Sequence, residues 1–545
     1  MRLLARASLL LFAAAGGCSN NGLGVPGGDG ATAADQGVPD MAAPADAATA
    51  PADLIAPADL TAFATGSRLV QGNFSLQGVT SDDYAIYTDD KSGALAAESA
   101  SGGSPISISG TAGQLLISGK AVLVWSNVDM NTNVGQLSVW TKANGTHTLD
   151  AASLLGEVAV SDDGGTVLYC GNTTVTTIMG TSAPSACDIV LVKSDGTGAK
   201  TIYTQVPLPT MQGQNSDCVP TLGFAGGLFV TNHCLGMGDA AATTATLSTI
   251  DPSSGATNDV RATGASNIWQ TDKAGDKLLI VGDAADLTVV PIAGGTAVSI
   301  DSNVASGFLT SDGATAIYLT NDGSLKVSPT GSPSPKTLAT GIDVMSAGIQ
   351  AISPDEKWIL YSVGAGVVNG TSDLWIVPVA GGTPAALASK KTAAVFGSAF
   401  TRDSSRALFY TAVTANGIGT FESAGVNQGG GGPDGGVAAT VHGTKAWIDY
   451  ATYGTHVAFN PNFQMVANKN GRADLIHIDT ATNKDAVEIA AQADVDFYLT
   501  SDRRSIFYTS TMPGLAGLYL VPVPGAPAPS PDMAMPIVDM AVGGG

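Results

Sequence analysis

One turn-plus-strand phrase recurs along this chain, and it constrains the fold more than any other feature. In five copies a Ser or Thr stands two residues before an Asp, an apolar residue stands five after it, and an aromatic residue six after it. The five aspartates are Asp163, Asp312, Asp355, Asp403 and Asp502, at intervals of 149, 43, 48 and 99 residues. These intervals are close to multiples of one unit of 43–50 residues. A repeat of that length predicts a propeller or a solenoid.

Less regular copies fill the remaining intervals, and each unit has a second half. VTSDDYAIYT, LISGKAVLVWSN, LGFAGGLFVTN, QTDKAGDKLLIVG and ATYGTHVAFN bring the count to about ten. Segments such as LWIVPVAGGTPAAL add two strands around a Gly-rich hairpin turn. A unit therefore contains a strand, the Asp turn, an apolar inner strand, a loop, a strand, a Gly turn and a strand. This order predicts a four-stranded antiparallel blade.

We therefore predict an all-β chain, with a β-propeller of about ten blades over residues 66–525. One ring usually holds four to eight blades, so one large ring and two smaller rings are both open. The sequence has no linker near the midpoint of this region, which favours one ring.

The repeat resembles the WD-like Ser-Pro-Asp repeat of TolB-type propellers and of the propellers attached to prolyl-oligopeptidase-type peptidases. Only Asp355 keeps the full Ser-Pro-Asp form, and the α/β domain that precedes the TolB propeller has no counterpart. The unit count also exceeds the six blades of TolB. The resemblance implies the propeller fold. It does not imply peptidase activity, because the chain has no G-x-S-x-G motif.

The first residues are typical of an export signal. Arg2 and Arg6 precede an apolar run that is too short to span a membrane. The stretch AAGGC resembles the lipobox of bacterial lipoproteins, although Ala15 replaces the usual Leu. That resemblance implies removal of the signal before Cys18 and acylation of Cys18, and Ser19 after it implies the outer membrane. Ordinary cleavage near Gly17, with Cys18 incidental, is the alternative.

Two segments flank the predicted propeller. Residues 19–65 contain no Lys or Arg and are rich in Pro, Ala and Asp, and residues 526–545 are rich in Pro, Met and Gly. Neither composition can build a core, so we predict disorder in both. We interpret residues 19–65 as a spacer that holds the propeller away from the membrane, after the signal peptide 1–18.

Four further cysteines predict disulfides, because their number is even and the chain is exported. Cys218 and Cys234 lie eight residues either side of Gly226, which would place them opposite each other across a hairpin. Cys170 and Cys187 can close the loop GNTTVTTIMGTSAPSA between two strands. We predict these two bridges among three possible pairings. His233 beside Cys234 suggests a zinc site, but no other ligands stand at zinc-site spacing, so we predict no metal and no cofactor.

Charge and the lack of catalytic motifs limit the function. The net charge is −22, and no basic stripe is present that could neutralise phosphates, so nucleic acid is not a partner. We predict a non-catalytic, membrane-tethered module that binds an envelope protein or a polymer such as peptidoglycan or another polysaccharide. It would be lipid-anchored in the outer membrane, facing the periplasm or the cell surface. A structural lipoprotein without a specific ligand also remains open.

The main alternative is a propeller enzyme, a hydrolase or lyase, whose channel site is built from residues on different blades. Such a site leaves no linear motif. A channel lined by Arg, Glu, His or Asp would favour the enzyme. A polar channel without such groups would favour the binding module.

Overall fold

A computed structural model describes residues 67–523, apart from short gaps, and all of these residues belong to one compact unit. All regular structure in this part of the chain is β. The gaps are residues 112, 179–180, 209–219, 235–244, 262–267, 283–284, 343, 345–347, 365–371, 392, 396–398, 415–417, 427–438, 448–449, 454–455, 460–471, 480–483, 495 and 513. The predicted signal peptide, spacer and tail therefore lie outside the described residues. Within the described ranges no helix has the length and apolarity that a membrane span requires.

The strands form ten antiparallel sheets, which are the blades. The first strand, β1 (Ser67–Gln71), belongs to the last blade. Blade 1 contains β2 (Phe74–Val79), β3 (Tyr84–Asp89), β4 (Leu95–Ser99) and β5 (Ile106–Ser109). Blade 2 contains β6 (Gln114–Ser118), β7 (Ala121–Asp129), β8 (Val134–Thr141) and β9 (Gly145–Leu154). Blade 3 contains β10 (Val158–Val160), β11 (Thr166–Ile178), β12 (Thr181–Lys193) and β13 (Lys200–Pro207). Blade 4 contains β14 (Thr221–Ala225), β15 (Leu228–Cys234), β16 (Ala245–Ile250) and β17 (Thr257–Arg261). Blade 5 contains β18 (Ile268–Thr271), β19 (Lys277–Val281), β20 (Leu287–Pro291) and β21 (Val298–Asp301). Blade 6 contains β22 (Val304–Leu309), β23 (Thr315–Thr320), β24 (Leu325–Pro329) and β25 (Lys336–Ala339).

The remaining blades follow in the same order. Blades 7 and 8 contain β26 (Gly348–Ile352), β27 (Trp358–Val363), β28 (Ser372–Pro378), β29 (Ala385–Lys391); and β30 (Arg406–Thr411), β31 (Ile418–Gly425), β32 (Ala439–Trp447). Blades 9 and 10 contain β33 (Tyr450–Tyr453), β34 (His456–Phe459), β35 (Arg472–Asp479), β36 (Lys484–Asp494); and β37 (Phe497–Leu499), β38 (Ser505–Ser510), β39 (Gly517–Pro522) with β1.

Strands within a blade pair in sequence order, and we call them A, B, C and D. The A strands of adjacent blades contact one another, as β10 and β14, β18 and β22, and β2 and β37 do. Blades converge at the axis of a propeller, so the A strands are innermost. The apolar strand after each Asp turn is therefore B, second from the channel. It is buried because neighbouring blades cover both of its faces, as at Ile359 and Leu360 of β27.

The Asp turn joins strand A to strand B through a small hydrogen-bond network. In blade 3 the hydroxyl of Ser161 donates to Asp163 Oδ1 over 2.6 Å and accepts the N–H of Thr166 over 2.9 Å. The N–H of Gly165 also donates to Asp163 Oδ1. The hydroxyl of Ser161 and this N–H together hold the pKa of Asp163 below its usual value. The same hydroxyl-to-carboxylate bond, 2.6–2.7 Å long, occurs at Thr80–Asp82, Thr310–Asp312, Ser353–Asp355, Thr401–Asp403 and Thr500–Asp502.

These turns also connect one blade to the next. The residue after the Asp has a positive φ, which suits Gly164 in blade 3 but is occupied by Glu356 and Ser404 in blades 7 and 8. At these positions the non-glycine side chains accept hydrogen bonds from the turn of the preceding blade. Glu356 accepts the N–H of Ser311 from the turn of blade 6, and the Ser404 hydroxyl accepts the N–H of Asp355 from the turn of blade 7. Adjacent turns are therefore fixed relative to each other.

We expect Thr401→Val to test the turn. Thr401 is fully buried, and the substitution removes its bonds to Asp403 and to the N–H of Arg406 while keeping its shape. The free energy of unfolding should fall by about 1–3 kcal/mol, since two hydrogen bonds made by a buried hydroxyl are lost. Thermal unfolding followed by circular dichroism measures this loss. Thr337→Val, at an exposed position of β25, is the control, and equal effects of the two substitutions would contradict the proposed role of the turn.

The ring closes where the chain's first strand joins its last blade. β1 pairs with β39, with Ser67 opposite Leu520. Across the same junction Phe507 of blade 10 packs with Tyr87 of blade 1, and the N–H of Ser501 donates to Asp83 over 2.6 Å. Apolar clusters join the other neighbouring blades, and β32 contacts β35 between blades 8 and 9. The chain thus forms one ten-bladed ring, not two smaller ones.

Blade 8 departs from the predicted four-stranded pattern. It has three regular strands, and its innermost position is held by two isolated bridges, Ala394 to Tyr410 and Phe400 to Ala407. Both bridges pair with β30, so this segment follows the course of an A strand without forming a continuous ladder. The other nine sheets have four strands each.

A buried carboxylate lies in the closing interface. Glu98 on β4 is 1% exposed, and its Oε2 has no hydrogen-bond partner among the described residues. It lies opposite Ala85, which packs against blade 10. Burial raises the pKa of the Glu98 carboxyl above its ordinary value of 4.5. Ionised Glu98 therefore destabilises the closed ring at neutral pH.

We expect Glu98→Gln to raise the melting temperature at pH 7. A raised pKa in the folded state stabilises the protein below the ordinary pKa and costs stability as the pH rises above it. The gain should disappear near pH 4, where the carboxyl of the wild type is protonated in both states. Melting curves of both chains at the two pH values measure the effect. A variant less stable than the wild type at pH 7 would show that the ionised carboxylate is stabilising.

Candidate functional site

The channel wall lacks charged side chains along the innermost strands. Nine regular A strands surround the axis, and none contains Asp, Glu, Lys, Arg or His. Their sequences are FSLQGV, QLLIS, VAV, TLGFA, IWQT, VASGFL, GIQAI, YATY and FYL. These strands therefore supply no carboxylate, imidazole or amine that could act as a general acid or base.

The polar groups on these strands are amides and hydroxyls. Gln114 on β6 is exposed, and Tyr498 on β37 keeps 37% of its surface exposed. Other glutamines support the fold, since Gln270 accepts the N–H of Leu309 over 2.9 Å. Amides can both donate and accept hydrogen bonds, and an aromatic ring offers a surface for stacking. This combination suits an uncharged polar ligand.

Charged residues lie at both ends of the ring. We call the end with the A–B and C–D turns the A–B face, and the opposite end the B–C face. Cations on the A–B face are mixed with the Asp turns: Lys120, Lys142, Lys193, Lys200, Lys273, Lys277, Lys336, Lys357, Arg402, Arg503 and Arg504. The loops and strand ends of the B–C face include Asp89, Asp90, Asp129, Asp286, Asp301, Asp322, Asp373 and Asp496 as well as Lys91, Arg261, Lys326, Lys390, Lys391, Lys445 and Arg472. Each face therefore carries residues of both signs.

An open depression of ≈ 470 Å³ lies on the B–C face, where β1 leads into β2. It is lined by Gly72, Asn73, Asp89, Asp90 and Lys91. The Asp89 carboxylate accepts the N–H groups of Lys91 and Ser92, and its bonds to Ser92 lower its pKa. Asp90 accepts the Ser75 hydroxyl. Both carboxylates thus hold their own loop, and the described residues contain no His, Cys, Asp and Glu group suited to a metal ion.

A two-stranded arm projects from the B–C face of blade 3. Cys170 and Cys187 form a disulfide at its base, with Cα atoms 5.6 Å apart, as the sequence predicts. The interval between them was expected to be a loop, and this is wrong. β11 and β12 continue past the cysteines and pair from Thr174 with Ala186 to Ile178 with Thr181. The β-branched residues of β11 favour an extended backbone and pair mostly with small residues of β12, which extends the sheet beyond the blade.

The other predicted site residues fall into two groups. Asp163, Asp312, Asp355, Asp403 and Asp502 lie in the A–B turns and are structural. Cys18 and Cys218 lie outside the described residues, and Cys234 is described only as the end of β15. The predicted bridge from Cys218 to Cys234 therefore stays a prediction.

A buried histidine lies between blades 3 and 4. His233 is fully buried, and neither ring nitrogen has a hydrogen-bond partner among the described residues. The Tyr203 ring lies over it, with ring centroids 3.9 Å apart. Burial lowers the pKa of His233 from 6.5 to about 4. In the sequence, His233 stood out only as a possible zinc ligand. Its place in strand B, which is buried on both faces, could have indicated its burial.

We expect acid to weaken this interface through His233. A lowered pKa in the folded state means that stability is full above pH 6.5 and falls as the pH drops towards 4. His233→Phe keeps a ring against Tyr203 but cannot bind a proton. The variant should therefore lose less melting temperature than the wild type between pH 7 and pH 4.5. Equal losses would show that His233 does not carry the acid sensitivity.

One Ser–His pair resembles part of a hydrolase site but is placed for structure. Ser423 Oγ and His442 Nε2 lie 2.6 Å apart, and both residues are buried. The Arg406 guanidinium donates to the same serine oxygen over 2.8 Å. The hydroxyl is thus out of reach of a substrate in solution. The pair joins β31 to β32 inside blade 8.

Among known proteins, the chain is similar to solved structures at low sequence identity. No family model matches it, and no curated protein matches it. Similar solved structures include the tricorn protease, with a TM-score of 0.31 and 12% identity. The match covers 83% of this chain and 52% of the protease, so the chain spans about half of that protein's length. Another is Porphyromonas gingivalis dipeptidyl peptidase 4, with a TM-score of 0.41 and 10% identity. The match covers 79% of this chain and 60% of the peptidase. TolB from Acinetobacter baumannii also matches, with a TM-score of 0.23 and 12% identity. The match covers 57% of this chain and 61% of TolB.

Proposed function

We propose that this chain is a non-catalytic, membrane-tethered propeller lipoprotein that binds an uncharged region of an envelope polymer or protein at its channel. The observation that carries the proposal is the wall of nine A strands without a charged residue or a histidine. Catalysis of hydrolysis or elimination needs positioned acids and bases. Binding of a neutral ligand needs the amide, hydroxyl and aromatic groups that these strands supply.

Peptidoglycan glycan or another polysaccharide fits this wall best. Sugar hydroxyls bond to amides in both directions, and sugar faces stack on aromatic rings. The net charge of −22 supports a neutral or basic partner, and it argues against nucleic acid. The alternative enzyme, a hydrolase or lyase, would have to take its acids and bases from loops at the channel mouths.

The tether rests on the sequence around Cys18. A diacylglycerol and an acyl chain on this residue would anchor the protein stably, since two or more chains are enough for lasting attachment. Residues 19–65 would then separate the ring from the outer membrane, on its periplasmic or its outer side. This arrangement keeps the channel accessible to envelope components.

We expect Gln114→Ala and Tyr498→Ala to weaken binding to purified peptidoglycan sacculi. Each removes one contact from the channel wall, so the dissociation constant should rise about 2- to 10-fold for a loss of roughly 0.5–1.5 kcal/mol. Co-sedimentation of the detergent-extracted full chain measures this. Val441→Ala, at an exposed apolar position of β32, is the matched control.

Three outcomes would redirect the proposal. Binding that is unchanged in both channel variants would remove the channel as the site. Release of soluble sugar fragments from the sacculi would favour the enzyme. A protein captured by a photo-reactive residue at position 498, without sacculus binding, would favour a protein partner. Intact mass spectrometry of membrane-fractionated chain tests the anchor separately, since Cys18→Ser should abolish the lipid adduct and release the protein from membranes.

A further inference from the structure

The arm of blade 3 has an open edge. On one side β11 pairs with β12 out to Ile178. On its other side β10 pairs with it only as far as Tyr169, and no described strand continues that ladder. Thr174, Val175 and Thr177 are exposed. The outer backbone groups of this stretch are therefore available to another strand.

The outer part of this edge, from Thr174 to Thr177, lacks charged residues and proline, which usually prevent pairing. Residues 171–186 contain no charged side chain, although the whole chain has a net charge of −22. The outer strand from 172 to 178 has no Pro. Exposed edges are normally protected by Lys, Pro or inward charges. An uncharged segment also lets two molecules of the same sign approach at this point.

The register indicates which backbone groups face outwards. Val175 lies opposite Pro184. Proline has no N–H, so this pair cannot exchange the two hydrogen bonds of a bonded antiparallel pair. The N–H and C=O of Val175 therefore point to the open edge, and by alternation those of Thr177 do too. Thr173 is buried and follows Asn172, whose positive φ marks an irregularity in the ladder.

The outward stretch is also symmetric in sequence. Residues 173–177 read Thr-Thr-Val-Thr-Thr in both directions. We propose that two copies of this chain associate through their arms, with the two β11 edges paired antiparallel about a two-fold axis at Val175. Val175 then lies opposite Val175 of the second copy, and Thr174 opposite Thr176. A closed two-fold contact of this kind needs a self-complementary patch, which this edge provides.

The charge distribution favours a second copy over a foreign strand. The acidic body would repel a like molecule that approached along most of its surface, whereas contact at the arm tips keeps the two rings apart. Cross-strand Thr pairs and an apolar Val pair add side-chain contacts to the backbone bonds. The disulfide joins the two strands of the arm at its base, which orders the edge before pairing.

Cysteine trapping on the full chain tests the geometry. Val175→Cys should form a covalent dimer under mild oxidation, because antiparallel partners place their Cα atoms within disulfide range. Thr177→Cys is the matched control, since its partner in this register is Thr173 and its own copy is too distant. Non-reducing electrophoresis compares both variants with the wild type. The wild type shows any covalent dimer that the native cysteines form on their own.

Val175→Pro gives an independent readout. It removes an N–H that points to the open edge and makes no hydrogen bond to β12. In sedimentation equilibrium the wild type should show a dimer that this variant loses, at unchanged melting temperature. Three results would overturn the proposal: no covalent dimer of Val175→Cys, equal trapping of both cysteine variants, or a monomeric wild type. Failure of sacculus binding does not bear on it, since the arm lies outside the channel wall.

Discussion

The hydroxyl that begins the A–B turn in six of the ten blades is the contact on which the repeat depends. It donates to the Asp two residues later and accepts the first N–H of strand B, so one buried oxygen fixes where strand A ends and strand B begins. The residue after the Asp then reaches the turn of the preceding blade, as Glu356 reaches Ser311. Register within a blade and alignment between blades are thus set by the same few atoms. A ring of ten such units needs this accuracy, because small errors would add up around the circle.

The same locality explains what the sequence could predict. The Asp turns, the buried B strands and the Gly hairpins are short patterns, and they led to ten blades in one ring. The closing strand was not predicted, because SRLVQ carries no turn phrase and acquires its role only by pairing with β39. The arm was taken for a loop because Cys170 was expected to end one strand and Cys187 to open the next. It becomes a hairpin through cross-strand pairing, which a single strand does not reveal. The discontinuous inner segment of blade 8 likewise depends on its pairing with β30.

The candidate site illustrates the same limit. Gln114 and Tyr498 are ordinary residues in the sequence, and their meaning depends on their place in A strands. Only the topology shows that the strand before each Asp turn, and not the more apolar strand after it, lines the channel. Once that is known, the absence of charge along nine strands is visible in the sequence itself. His233 gives a similar lesson, because its burial is imposed by Tyr203 of another blade.

Closure by β1 also sets the order in which the protein can fold. The strand that completes blade 10 is the first to be made, and its partner lies about 450 residues later in the chain. Contacts so distant in sequence form slowly, because the chain between their ends must first be ordered. Until β39 is available, β1 remains without its partner and blades 1 and 10 each lack a neighbour. A chain that crosses a membrane from its N-terminus would therefore carry an open arc of blades, and the ring could close only after the last blade had emerged.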